Sequence, residues 1–210
     1  MAAETARRRY DRIAPVYDLL QCPMGRASAS WRKRLWAEAK GPRLLEAGVG
    51  TGRNFPFYPN SDKITAADIS PRMLARARAR ASRMDLEVEL REMDIQSLGY
   101  PDNSFDSAIS SFVFCSVPDP VRGLKELARV VKPGGRIVLL EHVRPRGQVL
   151  GRLFDFLTPL VVRLFGFRLN RRTVENVRRA GLKLERVDYL DRVGIVKLIV
   201  ARPHKEVDDG

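Results

Sequence analysis

The run Leu44-Leu45-Glu46-Ala47-Gly48-Val49-Gly50-Thr51-Gly52 constrains this chain more than any other feature. An apolar stretch of strand length ends in three alternating glycines, and glycine lets a backbone turn sharply and a ligand approach it closely. A turn of this kind belongs at the carboxyl end of a strand that feeds a helix. A dinucleotide fingerprint spaces its glycines G-x-G-x-x-G under a pyrophosphate. Here the spacing is G-x-G-x-G, followed by Arg53 and Asn54, so the third glycine is misplaced for a nicotinamide dinucleotide. Glu46 is expected to set a carboxylate at the mouth of the turn, which repels a pyrophosphate and welcomes a cation.

From this turn onward, apolar runs at 43–47, 63–67, 86–91, 105–110, 136–141, 182–189 and 194–201 read as strands alternating with helical segments. The pattern predicts an α/β fold, a mostly parallel sheet with helices on both faces. Ser70-Pro71 and Asp119-Pro120 each read as a cap and first helical residue, Lys132-Pro133-Gly134-Gly135 as a helix stop, and Asn170 as the cap of a helix ending at Gly181. With 210 residues, 44% of them hydrophobic, one domain is expected. Residues 1–40 form a helical lid within it, 41–203 the main body and 204–210 a flexible tail.

Two further anchors define a ligand. Asp68 stands twenty positions after Gly48 at the end of the second expected strand, where two acceptor oxygens suit the vicinal hydroxyls of a ribose. Beyond the third strand, Asp94 is placed to take an adenine amino group, with Ile95 and Ile69 on either side of the ring. A ribose, an adenine and a cationic portion together describe S-adenosylmethionine, which carries an ammonium and a sulfonium. Glu46–Gly52, Asp68-Ile69-Ser70-Pro71-Arg72-Met73-Leu74, Pro101-Asp102-Asn103-Ser104-Phe105-Asp106 and Val131-Lys132-Pro133-Gly134-Gly135 resemble the successive motifs of the class I methyltransferases. The resemblance implies a Rossmann-like sheet of seven strands, the last antiparallel. It further implies that Glu46, Gly48, Gly50, Thr51 and Gly52 surround the methionine portion, Asp68 holds the ribose, Ile69 and Met73 touch adenine, and Asp94 with Ile95 completes the pocket. Ser111 opens a loop expected beside the departing methyl group.

Charge bears on the acceptor. Lys and Arg number 38 against 25 Asp and Glu, a net charge of +13, so the surface attracts anions such as nucleic acid or lipid headgroups. The loop Ser111-Phe112-Val113-Phe114-Cys115-Ser116-Val117 lacks the Asn/Asp-Pro-Pro-Tyr/Phe pattern that holds exocyclic amines of bases, and no appendage for RNA is evident. No nucleic-acid partner is expected. Neither Cys22 nor Cys115 has the spacing of a metal site or a disulfide framework, so both read as small buried side chains and no metal is expected. The first residues show no secretory signal and no run is long enough to span a membrane, so a cytoplasmic location is expected, peripheral at the inner face of the membrane.

Methyl transfer from a sulfonium is an in-line displacement that needs alignment and exclusion of water. His142, beside Glu141 at the end of the fifth strand, is a candidate base if its pKa is near neutral, and otherwise an ordinary hydrogen-bonded residue. The segment from Arg9 to Leu20 with Trp31-Arg32-Lys33-Arg34-Leu35-Trp36 resembles the N-terminal lid of ubiquinone and menaquinone methyltransferases and of bacterial phospholipid N-methyltransferases. That resemblance makes Tyr17 a cofactor or substrate contact and a candidate proton relay. Asn54-Phe55-Pro56-Phe57-Tyr58-Pro59 and Glu141-His142-Val143 are similar to membrane-associated alkyl thiol methyltransferases. Between Val149 and Phe165, apolar residues recur at helical spacing among Arg152, Arg163 and Arg168, with Thr158-Pro159 expected to start a new helix. This segment reads either as core helix or as an interfacial membrane segment with snorkelling arginines. The expected acceptor is the amine of phosphatidylethanolamine, at an anionic membrane surface. A quinone-precursor ring carbon, a small thiol, a nucleic acid and a purely regulatory cofactor-binding role are the alternatives.

Overall fold

The computed structural model describes residues 2–20, 25–60, 63–145, 147–165 and 167–205. Three helices come first: α1 (Ala2–Ile13), α2 (Tyr17–Leu20) and α3 (Gly25–Trp36). The strands β1 (Arg43–Ala47), β2 (Lys63–Asp68), β3 (Glu89–Glu92), β4 (Phe105–Ser111), β5 (Val131–His142), β6 (Lys183–Tyr189) and β7 (Val196–Arg202) then alternate with α4 (Pro71–Arg83), α5 (Pro120–Val130), α6 (Gln148–Phe165) and α7 (Thr173–Arg179). They form one seven-stranded sheet of order β3-β2-β1-β4-β5-β7-β6. Neighbours from β3 to β5 run parallel, and β7 runs antiparallel to both β5 and β6. This is the expected class I methyltransferase architecture.

Strand alternation splits the core into two layers. Leu45, Ala47, Ala108, Ile137, Leu139 and Ile199 face α5 and α7, whose Leu124, Leu127 and Val177 are fully buried. Leu44, Ala66, Ile109, Val138 and Leu140 face the other way, onto Leu35 and Trp36 of α3 and Leu74 and Ala77 of α4. Helix starts follow the sequence: Ser70 Oγ accepts from Met73 N (3.1 Å) and Asp119 Oδ1 from Arg122 N (3.0 Å), each with proline next in the chain.

Several boundaries differ from expectation. α6 runs unbroken through Pro159 instead of restarting there. Proline costs that turn one N–H, and the Thr158 hydroxyl donates to Phe154 O (2.6 Å) in the same turn. Residues 132–135 do not follow α5 as a separate stop but lie within β5, because Val131 already pairs with Phe105. A Cβ on Gly135 would meet Asp106 O at 2.6 Å, so this glycine answers to close backbone approach. β3 begins at Glu89, three residues late, and α7 begins at Thr173 with Arg172, not Asn170, at its cap. Of the expected tail, Lys205 is anchored: Nζ donates to Asn103 Oδ1 and to the carbonyls of Arg129 and Val131 at 2.6–2.8 Å. Residues 206–210 and Cys22 lie outside the described residues.

Candidate active site

The carboxyl ends of β1, β2, β3 and β4 surround a cavity of about 750 Å³, mouth included, a size that suits a drug-sized ligand. Gly48, Gly50, Asp68, Ile69, Met73, Asp94, Ile95, Ser111 and Tyr17 all line it, so nine of the expected site residues share one chamber. Its remaining walls include Ala6 and Tyr10 of α1, Met93, Gln96, Phe112 and Ser116.

The floor is the glycine turn. Gly48, Gly50 and Gly52 have φ of +82°, +56° and +78°. A Cβ on Gly48 would strike Val113 Cγ2 at 2.2 Å, and one on Gly52 would strike the Phe55 ring at 2.3 Å, whereas one on Gly50 would meet no protein atom within 4 Å. Gly52 therefore serves packing and does not line the cavity, a correction to its expected place. At Gly50 the conformation alone requires glycine, and the space in front of it is left for a ligand.

Asp68 fits a ribose on its own geometry. Oδ2 accepts from Gly50 N (2.8 Å) and Oδ1 from Ser70 N (2.9 Å), which leaves each oxygen a further acceptor position for a diol. Burial pushes its pKa up to about 6 although these two N–H groups pull the other way. Asp94 is oriented by Gln96, whose N (2.9 Å) and Nε2 (3.0 Å) both donate to Oδ1. Gln96 is tied in turn through Oε1 to Asp119 N (2.9 Å).

Glu46 is not at the mouth. Its side chain is fully buried behind the turn, where Tyr58 Oη and Asn54 Nδ2 donate to it. Leu44 and Glu46 point to the same side of β1, and that side is core. Asn54 also donates to Ser111 Oγ (2.9 Å), and Arg32 Nη1 bridges Asn54 Oδ1 (2.6 Å) and Ser111 Oγ (2.9 Å). Burial raises Glu46 to about 7 and lowers Arg32 to about 10. The Arg32 guanidinium also lies 5.4 Å over the Phe112 ring. Thr51 is likewise turned away: its hydroxyl donates to Asp18 Oδ1 (2.6 Å).

The N-terminal helices close the chamber. Asp11 of α1 accepts from Ser70 Oγ (2.7 Å) and Arg72 N (3.3 Å), and Asp18 of α2 accepts from Thr51 and from Arg80 Nη2 (2.8 Å). These contacts hold Tyr10 and Tyr17 over the cavity, their rings edge to face at 6.4 Å. Burial pushes the Tyr17 phenol up to about 12 and Tyr10 well above its usual value, so both keep their protons at neutral pH and are available as hydrogen-bond donors.

The loop after β4 is held by the other buried acid. Glu141 Oε1 accepts from Val113 N (2.8 Å) and Phe114 N (3.0 Å), and burial raises its pKa to about 7. Phe112, at the start of this loop, has a φ of +57°, a conformation non-glycine residues rarely adopt. His142 does not reach the cavity. It stacks on Phe112 at 4.4 Å, and burial lowers its pKa to about 4, which contradicts the near-neutral value a base would need. Cys115 is buried, with its thiol pushed up by burial and then by Glu141, which fits packing rather than nucleophilic attack.

Arg32, Asn54, Tyr58, Asp11, Asp18, Tyr10 and Gln96 escaped the sequence reading. Arg32 and Ser111 stand 79 residues apart, and no local pattern announces such a pair.

A family profile described as a methyltransferase domain matches residues 45–139. A phosphatidylethanolamine N-methyltransferase of Cereibacter sphaeroides is 41% identical over 146 residues, 68% of this chain and 70% of that protein. A demethylmenaquinone methyltransferase of Thermus thermophilus is 35% identical over 172 residues, covering 75% and 78%. Among solved structures, a SAM-dependent methyltransferase from Thermotoga maritima superimposes with a TM-score of 0.70 at 24% identity, over 92% of this chain and 98% of that one. With the ribose-compatible Asp68 and the open face of Gly50 at the mouth of the same sheet, these similarities establish that the chain belongs to the class I S-adenosylmethionine-dependent methyltransferases.

Proposed function

We propose that the chain methylates the amine of phosphatidylethanolamine at a membrane surface, on the way to phosphatidylcholine. The observation that carries this reading is an exposed apolar stripe on α6. Val149, Leu153, Phe156 and Leu160 are 86%, 48%, 80% and 55% exposed. At about 100° per residue they fall within an arc of about 60°, and the exposed Arg152 and Arg163 lie along one border of it. A one-sided apolar face rimmed by arginines suits immersion among anionic headgroups. Leu19, 74% exposed next to the Asp18 latch, extends apolar surface onto the lid. Among the described residues no helix is long and apolar enough to cross a membrane. The Cereibacter relative bears the matching name.

S-adenosylmethionine, when bound, supplies a methyl group on a sulfonium. The residues here orient and exclude water: Asp68 and Asp94 fix the nucleoside end, and Tyr10 and Tyr17 seal the top. An ammonium must lose its proton to bulk water before attack, and the largely apolar lining beside a bound sulfonium would favour the neutral amine. Tyr17 is placed to hold that amine by a hydrogen bond but not to take its proton, given its raised pKa. C-methylation of a quinone precursor is the second reading, favoured by the greater share of the chain that the Thermus relative covers.

Incubation of the protein with S-adenosylmethionine and phosphatidylethanolamine vesicles, followed by lipid mass spectrometry, tests the proposal. Products heavier by one or more methyl groups are expected. An unmodified lipid beside ready turnover of a demethylated quinone or an alkyl thiol would replace the acceptor.

A further inference from the structure

A second depression lies at the same edge of the sheet, where β5 ends and β7 begins, and its chemistry differs from that of the cofactor chamber. Arg144, Arg171, Arg172, Arg178 and Lys197 line it, against a single carboxylate among the described residues, Glu175. The acid offsets little of this charge. Arg172 meets Glu175 at 3.5 Å with both side chains more than half exposed, a weak solvated pair. Arg144 pairs with Asp155 of α6 (2.9 Å). Among the described residues, Arg178 and Lys197 form no ion pair, and Lys197 Nζ sits 4.9 Å over the Tyr189 ring.

Among the described residues, two buried atoms of this site lack a hydrogen-bond partner: Oγ1 of Thr173, a residue 1% exposed, and Arg171 Nε. Buried polar groups are nearly always satisfied, so a hydroxyl and a guanidinium N–H left unpaired in a cationic pocket call for an acceptor. The geometry points to a phosphate-binding site: an anionic oxygen accepting from Thr173 and Arg171, with Arg178, Arg172 and Lys197 supplying the charge. A phosphate matches the inventory, since its oxygens accept several charge-assisted hydrogen bonds at once and arginine's fork suits it.

The site is wired to its surroundings. Arg171 also donates to the carbonyl of Val117, which lines the cofactor chamber, and Arg144 N donates to Arg171 O (3.0 Å). Its Arg144–Asp155 link joins it to the helix that bears the apolar stripe. A phosphate here thus sits beside both the membrane-facing helix and the wall of the chamber, where the phosphodiester of a lipid headgroup or the phosphate of a soluble compound would serve. Phosphate recognition itself does not rest on the proposed acceptor.

Titration of the full-length protein at constant ionic strength with inorganic phosphate and with glycerophosphoethanolamine, followed by amide NMR shifts at residues 171–178, tests the site. Saturable binding is expected. Thr173→Val, which keeps the shape and removes the hydroxyl, and Arg178→Gln/Lys197→Gln, on the open side, should each weaken it by about tenfold or more, with S-adenosylhomocysteine affinity and melting temperature unchanged. Tighter binding of the diester marks a lipid headgroup; tighter binding of inorganic phosphate marks a soluble phosphate compound. Linear, non-saturating shifts, or variants that bind like the wild type, would overturn the proposal. Phosphate binding without methylation of phosphatidylethanolamine would sink the acceptor reading and leave this site standing.

Discussion

Asp68 is poised so that cofactor affinity should follow pH. Its free-state pKa is about 6, because burial outweighs the stabilising N–H groups of Ser70 and Gly50. A diol donates hydrogen bonds, and these are strongest to the ionised acid. Protonation therefore competes with binding. At pH 7.5 nearly all of the protein carries the carboxylate, while at pH 5 only about one molecule in eleven does, so Kd should rise about tenfold, or about 1.4 kcal/mol. Asp68→Asn removes both the charge and the titration. It should cost about 1.5–3 kcal/mol at pH 7.5, the worth of charged hydrogen bonds in a buried site, and leave a flat profile below that pH. Calorimetric titration with S-adenosylhomocysteine at four pH values, with melting curves to confirm folding, measures both. A wild-type Kd that stays constant from pH 7.5 to 5, or a folded Asp68→Asn variant with wild-type affinity, would refute the reasoning.

Two further outcomes are expected. Glu46 is raised from 4.5 to about 7, so relative to the unfolded chain it contributes stability that is fully present below pH 4.5 and lost as pH rises through 7. Glu46→Gln should therefore gain on the wild type by up to about 3 kcal/mol between pH 5 and 8 in urea unfolding, and a constant difference across that range would disprove the buried-acid account. On the membrane side, Val149→Asp/Phe156→Asp should weaken cosedimentation with anionic vesicles by at least about a hundredfold, since each buried side chain of this kind contributes about 1.5–3 kcal/mol. Added salt should weaken wild-type binding too; equal vesicle binding by the double variant would show that α6 faces something else.

What the sequence made legible was local. The glycine turn, Asp68, the Ser70-Pro71 cap and Asp94 announce themselves within a few residues, and each stands at the expected strand end or helix start. Glu46 departs from its expected place because strand phase overrides the motif: Leu44 and Glu46 alternate onto the same buried side. Pro159 reads locally as a start signal, yet the surrounding helical apolar pattern and the Thr158 hydroxyl carry the helix past it. The arginine network could not be seen in advance. Arg32 looks like one more base in a basic segment until folding brings Asn54 and Ser111 to it.

Ser70 links events that would otherwise be separate. Its N–H holds Asp68, its hydroxyl caps α4 and donates to Asp11 on the first helix. Swinging that helix outward would break the Asp11 contact and leave Ser70 only its bond to Asp68 and its cap on α4. Exchange of the methyl donor through this face of the chamber would therefore have to part the Ser70–Asp11 contact beside Asp68. The first twenty residues also carry the exposed Leu19. Were the proposed membrane contact to engage Leu19, it would bear on the segment that carries both the Asp18 and the Asp11 contacts, so donor exchange would be expected to respond to the surface.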